Sequence, residues 1–160
     1  MSGLDDLLRL FRPLARQADA RPICWISGIG DAGTDYCPDC ARWKAKHLRR
    51  RGEKDAVADG GWDHRRESDG TSFCGGCGHL LGYSLSQYAF GEELEHWSSD
   101  ALVEAIAPIH AYEICELLDG AREYGTPEQV AETVSIATKL AALIPSSPTP
   151  TPGGLAEGGR

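Results

Sequence analysis

The sequence predicts an α+β protein in which short central strands are flanked by an N-terminal helix and a C-terminal helical region. Three observations carry this. An apolar stripe at helical spacing opens the chain, and a helical third with complete start signals comes near its end. Between them, two closely spaced cysteine pairs sit among glycines and brief apolar runs.

Ser2, Gly3, Leu4 and Asp5 form a capping box, after which Leu4, Leu7, Leu8, Phe11, Leu14 and Ala18 follow one face of a helix over 3–18, bent at Pro13. The run Ile23, Cys24, Trp25, Ile26, bounded by Pro22 and by glycines at 28, 30 and 33, predicts a brief strand within 21–27. Residues 41–51 have no helix breaker and high helix propensity. From Gly52 to Ser72 the composition turns to Gly, Asp, Arg and Glu, which predicts a long surface loop. The aromatic and aliphatic stretch 79–90 begins as a strand leaving the second cysteine pair. Residues 92–97 make a short helical piece. Asp100 then caps a segment with Leu102, Ile106 and Ile109 on one face, which Pro108 bends or splits. Thr126, Pro127 and Gln129 supply an N-cap, an N1 proline and a box-closing N3 residue, followed by the stripe Val130, Val134, Ala137, Ala141 and Ile144. The Pro-, Ser- and Gly-rich end has too little apolar surface to order itself. The expected organisation is an N-terminal helix at 1–20, a metal-binding region at 21–91, a helical region packed on it at 92–144 and a disordered tail at 145–160.

The chain has 160 residues, 41% hydrophobic and 25% charged, which suits one domain with a small appendage. Nothing approaches the ~18 consecutive apolar residues that span a bilayer, and the start lacks a basic segment followed by an apolar one. A cytoplasmic protein without a membrane partner is expected. Charge is uneven: residues 1–91 hold 13 basic and 12 acidic side chains, residues 92–160 hold 3 and 12. The second part therefore repels phosphates, and any nucleic-acid contact must come from a local basic cluster in the first.

Four of the six cysteines fall as Cys37-Pro38-Asp39-Cys40 and Cys74-Gly75-Gly76-Cys77-Gly78. Two intervening residues let a tight turn aim both sulfurs at one ion, and glycine permits the positive φ often required there. Four thiolates are soft ligands that make a tetrahedral shell, which points to one Zn2+. The rival readings are unrelated pairs, or a redox Cys-x-x-Cys, which is normally single and set between a strand and a helix. Through these two knuckles, residues 22–90 resemble zinc-ribbon and treble-clef-like small proteins. That resemblance implies a zinc-ribbon-like centre, although the 33 residues between the pairs exceed the usual ~15–20. Cys24 and Ser27 outline a degenerate third knuckle, more simply read as a buried Cys24 beside Trp25, and Cys115 lies on an apolar helix face as core. His47 and His79 could each replace a ligand or donate to a thiolate, but with four cysteines available they are read as residues that support the site or lie at the surface. Gly28, Gly30 and Gly33 match a dinucleotide fingerprint only as text, because Cys37 follows too soon for the helix that motif must open.

Arg42, Lys46, Arg49 and Arg50 share one side of the predicted helix, with Arg51 and Lys54 close by. Such a stripe neutralises phosphates, or is a solvated face balanced by Glu53, Asp55, Asp59, Asp63 and Asp69. No His-x-Glu precedes the first pair as zinc deaminases require, no His-Glu-x-x-His occurs, and no nucleophile elbow or phosphate loop appears. No catalytic residue is therefore expected. The favoured function is a structural-zinc binding module acting non-enzymatically through a protein partner, as an adaptor or inhibitor does. Its working surface is expected at exposed positions among Glu92, Glu93, Glu104, Glu116, Glu128 and Glu132. The alternative is a nucleic-acid-binding regulator using the stripe at 42–54, and a zinc enzyme ranks below both.

Overall fold

A computed structural model describes residues 3–28, 33–60, 70–98 and 103–144, and residues 66–68 as backbone. The chain folds as α+β, with a helix at its start, short strands in its centre and helices in its last third. The Ser2 cap, the Asp100 cap, Leu102, most of the glycine turn before the first knuckle and the tail from 145 lie outside the described residues.

Helix α1 (Leu4–Ala15) buries Leu7, Leu8, Phe11 and Ala15 and tightens into a 3-10 turn at Arg16–Ala18. It packs along α4 (Pro108–Tyr124), and its buried face joins that helix, α3 (Gln87–Ser98) and α5 (Pro127–Ala141) in one main core. Phe11, Phe90, Ile114, Leu117 and Leu118 lie at its centre, almost wholly out of water. Burying a side chain of this size contributes roughly 1.5–3 kcal/mol. Arg122 to Asp5 and Arg12 to Asp119, at 3.7 Å, tie the rim of the α1–α4 contact.

The helix boundaries follow their caps. Thr126 accepts from the Gln129 amide and Gln129 returns a bond to the Thr126 amide, so α5 starts where its signal places it. Pro108 begins α4 as its N1 residue and does not split a longer helix, because its missing N–H lies where no intrahelical partner exists. The helical piece expected at 92–97 is longer, since the Ser86 hydroxyl accepts from the Ala89 amide at 3.1 Å and starts α3 at Gln87. Two of the expected working glutamates are not free surface. Glu116 is 4% exposed, and Glu93 accepts a 2.8 Å bond from the Trp97 indole.

The central strands are short. Strand β1 (Cys24–Ser27) pairs antiparallel with β2 (Val57–Gly60), Cys24 opposite Gly60 and Ser27 opposite Val57. Strand β3 (Arg66–Ser68) runs parallel to β4 (Tyr83–Leu85). The stretch 52–72, expected as loop, thus supplies two strands; β2 alternates exposed and half-buried residues instead of carrying the apolar run that marks a strand in a sequence. Helix α2 (Pro38–Arg50) packs on β1 and β2 through Ala41 and Ala45, which meet Cys24, Ile26 and Ala56. Strand β4 belongs to the main core and is pinned to α4, where the Tyr112 hydroxyl donates to the Tyr83 carbonyl and accepts from the Tyr83 amide, each at 3.2 Å.

Candidate metal centre

Two local structures deliver the cysteines. Cys37 is the N-cap of α2, with Pro38 at N1 and Asp39 in the first turn, so Cys40 lies within the helix and does not precede it. This helix begins three residues earlier than its composition suggests, because Pro at N1 and Asp in the first turn are themselves start signals. The second pair sits in a turn between Phe73 and Leu80, which form an antiparallel bridge, with the Cys74 amide bonded to the His79 carbonyl at 2.8 Å.

The positive φ expected in this turn falls at Gly78, at 71°. Gly76 is required for another reason: a Cβ there would stand 2.9 Å from both Cβ and Sγ of Cys40. The absent side chain lets the two knuckles close on each other.

The four Sγ atoms of Cys37, Cys40, Cys74 and Cys77 all lie within 4.8 Å of one another, and those of Cys37 and Cys77 are 3.8 Å apart. A tetrahedral zinc with Zn–S bonds of about 2.3 Å has S···S edges of about 3.8 Å. The donor set and its spacing fit that ion. Cys37 and Cys74 are buried, Cys40 half-buried and Cys77 exposed, so the cluster sits at the edge of the structure with one sulfur toward water. Among the described residues this is the group of potential ligands gathered closely enough for a metal.

The surroundings favour negative sulfur unequally. Burial opposes ionisation of Cys74, yet the amides of Cys37 at 3.2 Å and Gly76 at 3.4 Å point at its Sγ and bring its thiol down to about 6. Burial and the neighbouring sulfurs push the Cys40 thiol up to about 12. Adjacent thiolates repel, so the first proton leaves easily and the last does not; a divalent cation at the centre would remove that conflict by displacing the protons. Arg21 adds positive charge, its guanidinium 4.0 Å from the Cys37 sulfur. Its backbone is fixed on the second knuckle's strand, amide to the Leu80 carbonyl at 2.9 Å and carbonyl to the Gly82 amide at 2.8 Å.

The other candidate residues separate clearly. Cys24, 5% exposed, packs with Ile26 and the α2 alanines, and Cys115 lies in the main core. His79 pairs with Asp19 at 3.3 Å, and His47 stacks on Trp43. Arg42 pairs with Asp39 at 2.6 Å, Arg49 donates to the Ala56 carbonyl at 2.6 Å, and Lys46 and Arg50 are exposed on the same helix. Sequence reasoning missed Arg21, sixteen residues from Cys37 with no motif to mark it. It also missed the Trp43–His47 stack, which the four-residue spacing on a helix does signal.

Fold and site together define an α+β protein that carries a four-cysteine cluster within metal-binding distance. No protein family, curated protein or solved structure that was compared matches the chain.

Proposed function

We propose that the protein is a binding module ordered by one structural zinc on Cys37, Cys40, Cys74 and Cys77, acting through a partner and not through catalysis. The observation that carries this is the convergence of the four sulfurs within 4.8 Å from turns more than thirty residues apart. When bound, zinc supplies a cross-link between the first turn of α2 and the second knuckle. The four thiolates fill its tetrahedral shell and leave no position for a substrate or an activated water. Binding energy of such a site is folding energy.

The protein-facing surface in this reading is the acidic helical body. Glu92, Glu104, Glu128 and Glu132 are exposed there, within a segment that carries net nine negative charges. A basic partner surface is steered to such a field. The test is metal analysis of the purified protein beside the Cys37→Ser, Cys74→Ser double variant. One zinc per chain, lost in the variant, is expected. A natively folded protein without metal refutes the reading.

A further inference from the structure

The outer face of α2 carries two features that the metal centre does not use, a stacked aromatic pair and a row of cations. Trp43 is 66% exposed. Its ring lies on that of His47, centroids 5.3 Å apart and planes within 6° of parallel. Arg42, Lys46, Arg49 and Arg50 are exposed on the same helix, whose opposite face presents Ala41 and Ala45 to the β1–β2 sheet. At about 100° per residue, Lys46 and Arg50 fall between Arg42 on one side and Trp43 with His47 on the other. Cations and rings therefore form one continuous surface.

The cations are not equally engaged. Arg49 is occupied by the Ala56 carbonyl, and Arg42 by Asp39 in a solvated pair that exchanges easily. Among the described residues, Lys46 and Arg50 make no ion pair or side-chain hydrogen bond. A solvated indole beside two such cations is complementary to a ligand with a flat apolar ring and negative charge one backbone step away. That is the chemistry of an unpaired nucleotide, whose base stacks on an aromatic side chain while its phosphates meet Lys and Arg. A duplex hides its base faces and offers only charge. The net nine negative charges beyond residue 91 keep a long polyanion from spreading over the helical body and confine contact to this helix.

We propose that the outer face of α2 docks single-stranded nucleic acid, with Trp43 backed by His47 as the stacking platform for a base and Lys46 and Arg50 as contacts for the adjoining phosphates. The proposal rests on the zinc reading only in that the metal fixes the first turn of α2.

The experiment is fluorescence anisotropy of a labelled oligodeoxythymidylate of about fifteen nucleotides, long enough for one site, titrated with the full chain at several salt concentrations. A duplex of the same length and phosphatidylglycerol vesicles serve as competitors. Binding of the single strand is expected to weaken about tenfold in Trp43→Ala and far less in Trp43→Phe. In Lys46→Ala with Arg50→Ala, the slope of log affinity against log salt is expected to become shallower by about 1.4. Zinc content should match the unmodified chain in every variant. Duplex or vesicles competing as well as the single strand, or Trp43→Ala binding like the parent, overturns the proposal. A zinc-loaded protein that ignores the oligonucleotide overturns it while the metal reading stands. Binding by a metal-free but folded chain upholds it while the metal reading falls.

Discussion

On the structural-zinc reading, stripping a metal from the four cysteines is expected to unfold one part of this protein and spare the other. Among the described residues, the side around the cysteines buries little apolar surface of its own. Among the described residues its two buried clusters hold Cys24, Ile26, Ala41, Ala45 and Ala56, and Ile23, Cys37, Cys74 and Leu81, with Ile and Leu the largest side chains fully inside and Tyr36 half-buried against both. A structural zinc on thiolates contributes on the order of 10 kcal/mol of apparent binding energy, comparable to the whole stability of an ordinary domain. Those clusters do not replace it. The main core contains Phe11, Phe90, Trp97 and the leucines of α1, α3 and α4, and its caps and apolar faces do not involve metal. Among the described residues, helix α2 is 13 residues long, against 12, 12, 17 and 15 for the other α-helices. Complete chelation should therefore cost no more than about a fifth of the helical circular dichroism. Amide exchange is the sharper assay: protection should vanish in β1, α2 and β2 and persist in α4 and α5. Unchanged spectra and protection after verified zinc removal would refute the structural role. Loss of protection in α4 and α5 in parallel with α2 would refute the separation of the two cores.

Arg21→Ala should weaken zinc about tenfold in chelator competition without altering secondary structure, because it removes positive charge beside Cys37 but keeps the backbone bonds to Leu80 and Gly82. An unchanged affinity would show that the guanidinium is incidental. Gly76→Ala should also lower metal affinity, since the added methyl meets Cys40 at 2.9 Å; retained affinity would mean that the knuckles can separate at little cost. Thr126→Ala should lower the stability of the helical body by about 1 kcal/mol in urea unfolding, through loss of the α5 cap. Glu113 accepts a 3.0 Å bond from Thr71, and burial raises its carboxyl above the ordinary range. The folded protein then holds a proton that the unfolded chain releases, so this group opposes folding as pH rises through the usual carboxylate range. Glu113→Gln should be more stable than the parent at neutral pH, with the difference closing below the usual carboxylate pKa. An advantage independent of pH would refute burial as its cause.

Much of this was legible in the residues. The two Cys-x2-Cys spacings picked out the four sulfurs that converge, and Thr126-Pro127 located the start of α5. Both are local signals, in which a few adjacent residues determine the geometry. The failures are of another kind. Strand β2 reads Val57, Ala58, Asp59, Gly60, which has the composition of a loop and becomes a strand by pairing with β1 thirty residues away. Glu116 looks like a surface glutamate on an amphipathic helix, yet α4 is flanked by α1, α3 and α5 and buries most of its circumference. Pro108 was legible as a boundary, but whether it ends or begins a helix depends on Ala107 being extended before it, at ψ 161°. Pairing partners and the number of packed neighbours are not written in any short window.

The 33 residues between the cysteine pairs also change meaning once folded. In a compact zinc knuckle pair such an excursion is surplus chain. Here it contains most of α2 together with β2 and β3; β2 pairs with β1, while Tyr36, directly before the first knuckle, bonds Cys24 through its amide and carbonyl at 2.8 and 2.7 Å. The second knuckle then runs through Leu80 and Leu81 into β4. Leu81 packs with Ile23, Cys37 and Cys74, whereas Leu80, Tyr83 and Leu85 belong to the main core. The four sulfurs therefore lie where the small core ends and the large one begins. A metal there would do more than close a loop, because it would fix the N-terminal turn of α2 to a strand anchored on α4 through Tyr112. Any ligand recognised by the outer face of α2 would thereby be held in a defined orientation to the acidic helices. Without a metal that orientation would rest, among the described residues, on the Arg21 backbone bonds, the bond from the Gly75 amide to the Asp35 carbonyl, and the packing of Ile23, Leu81 and Tyr36.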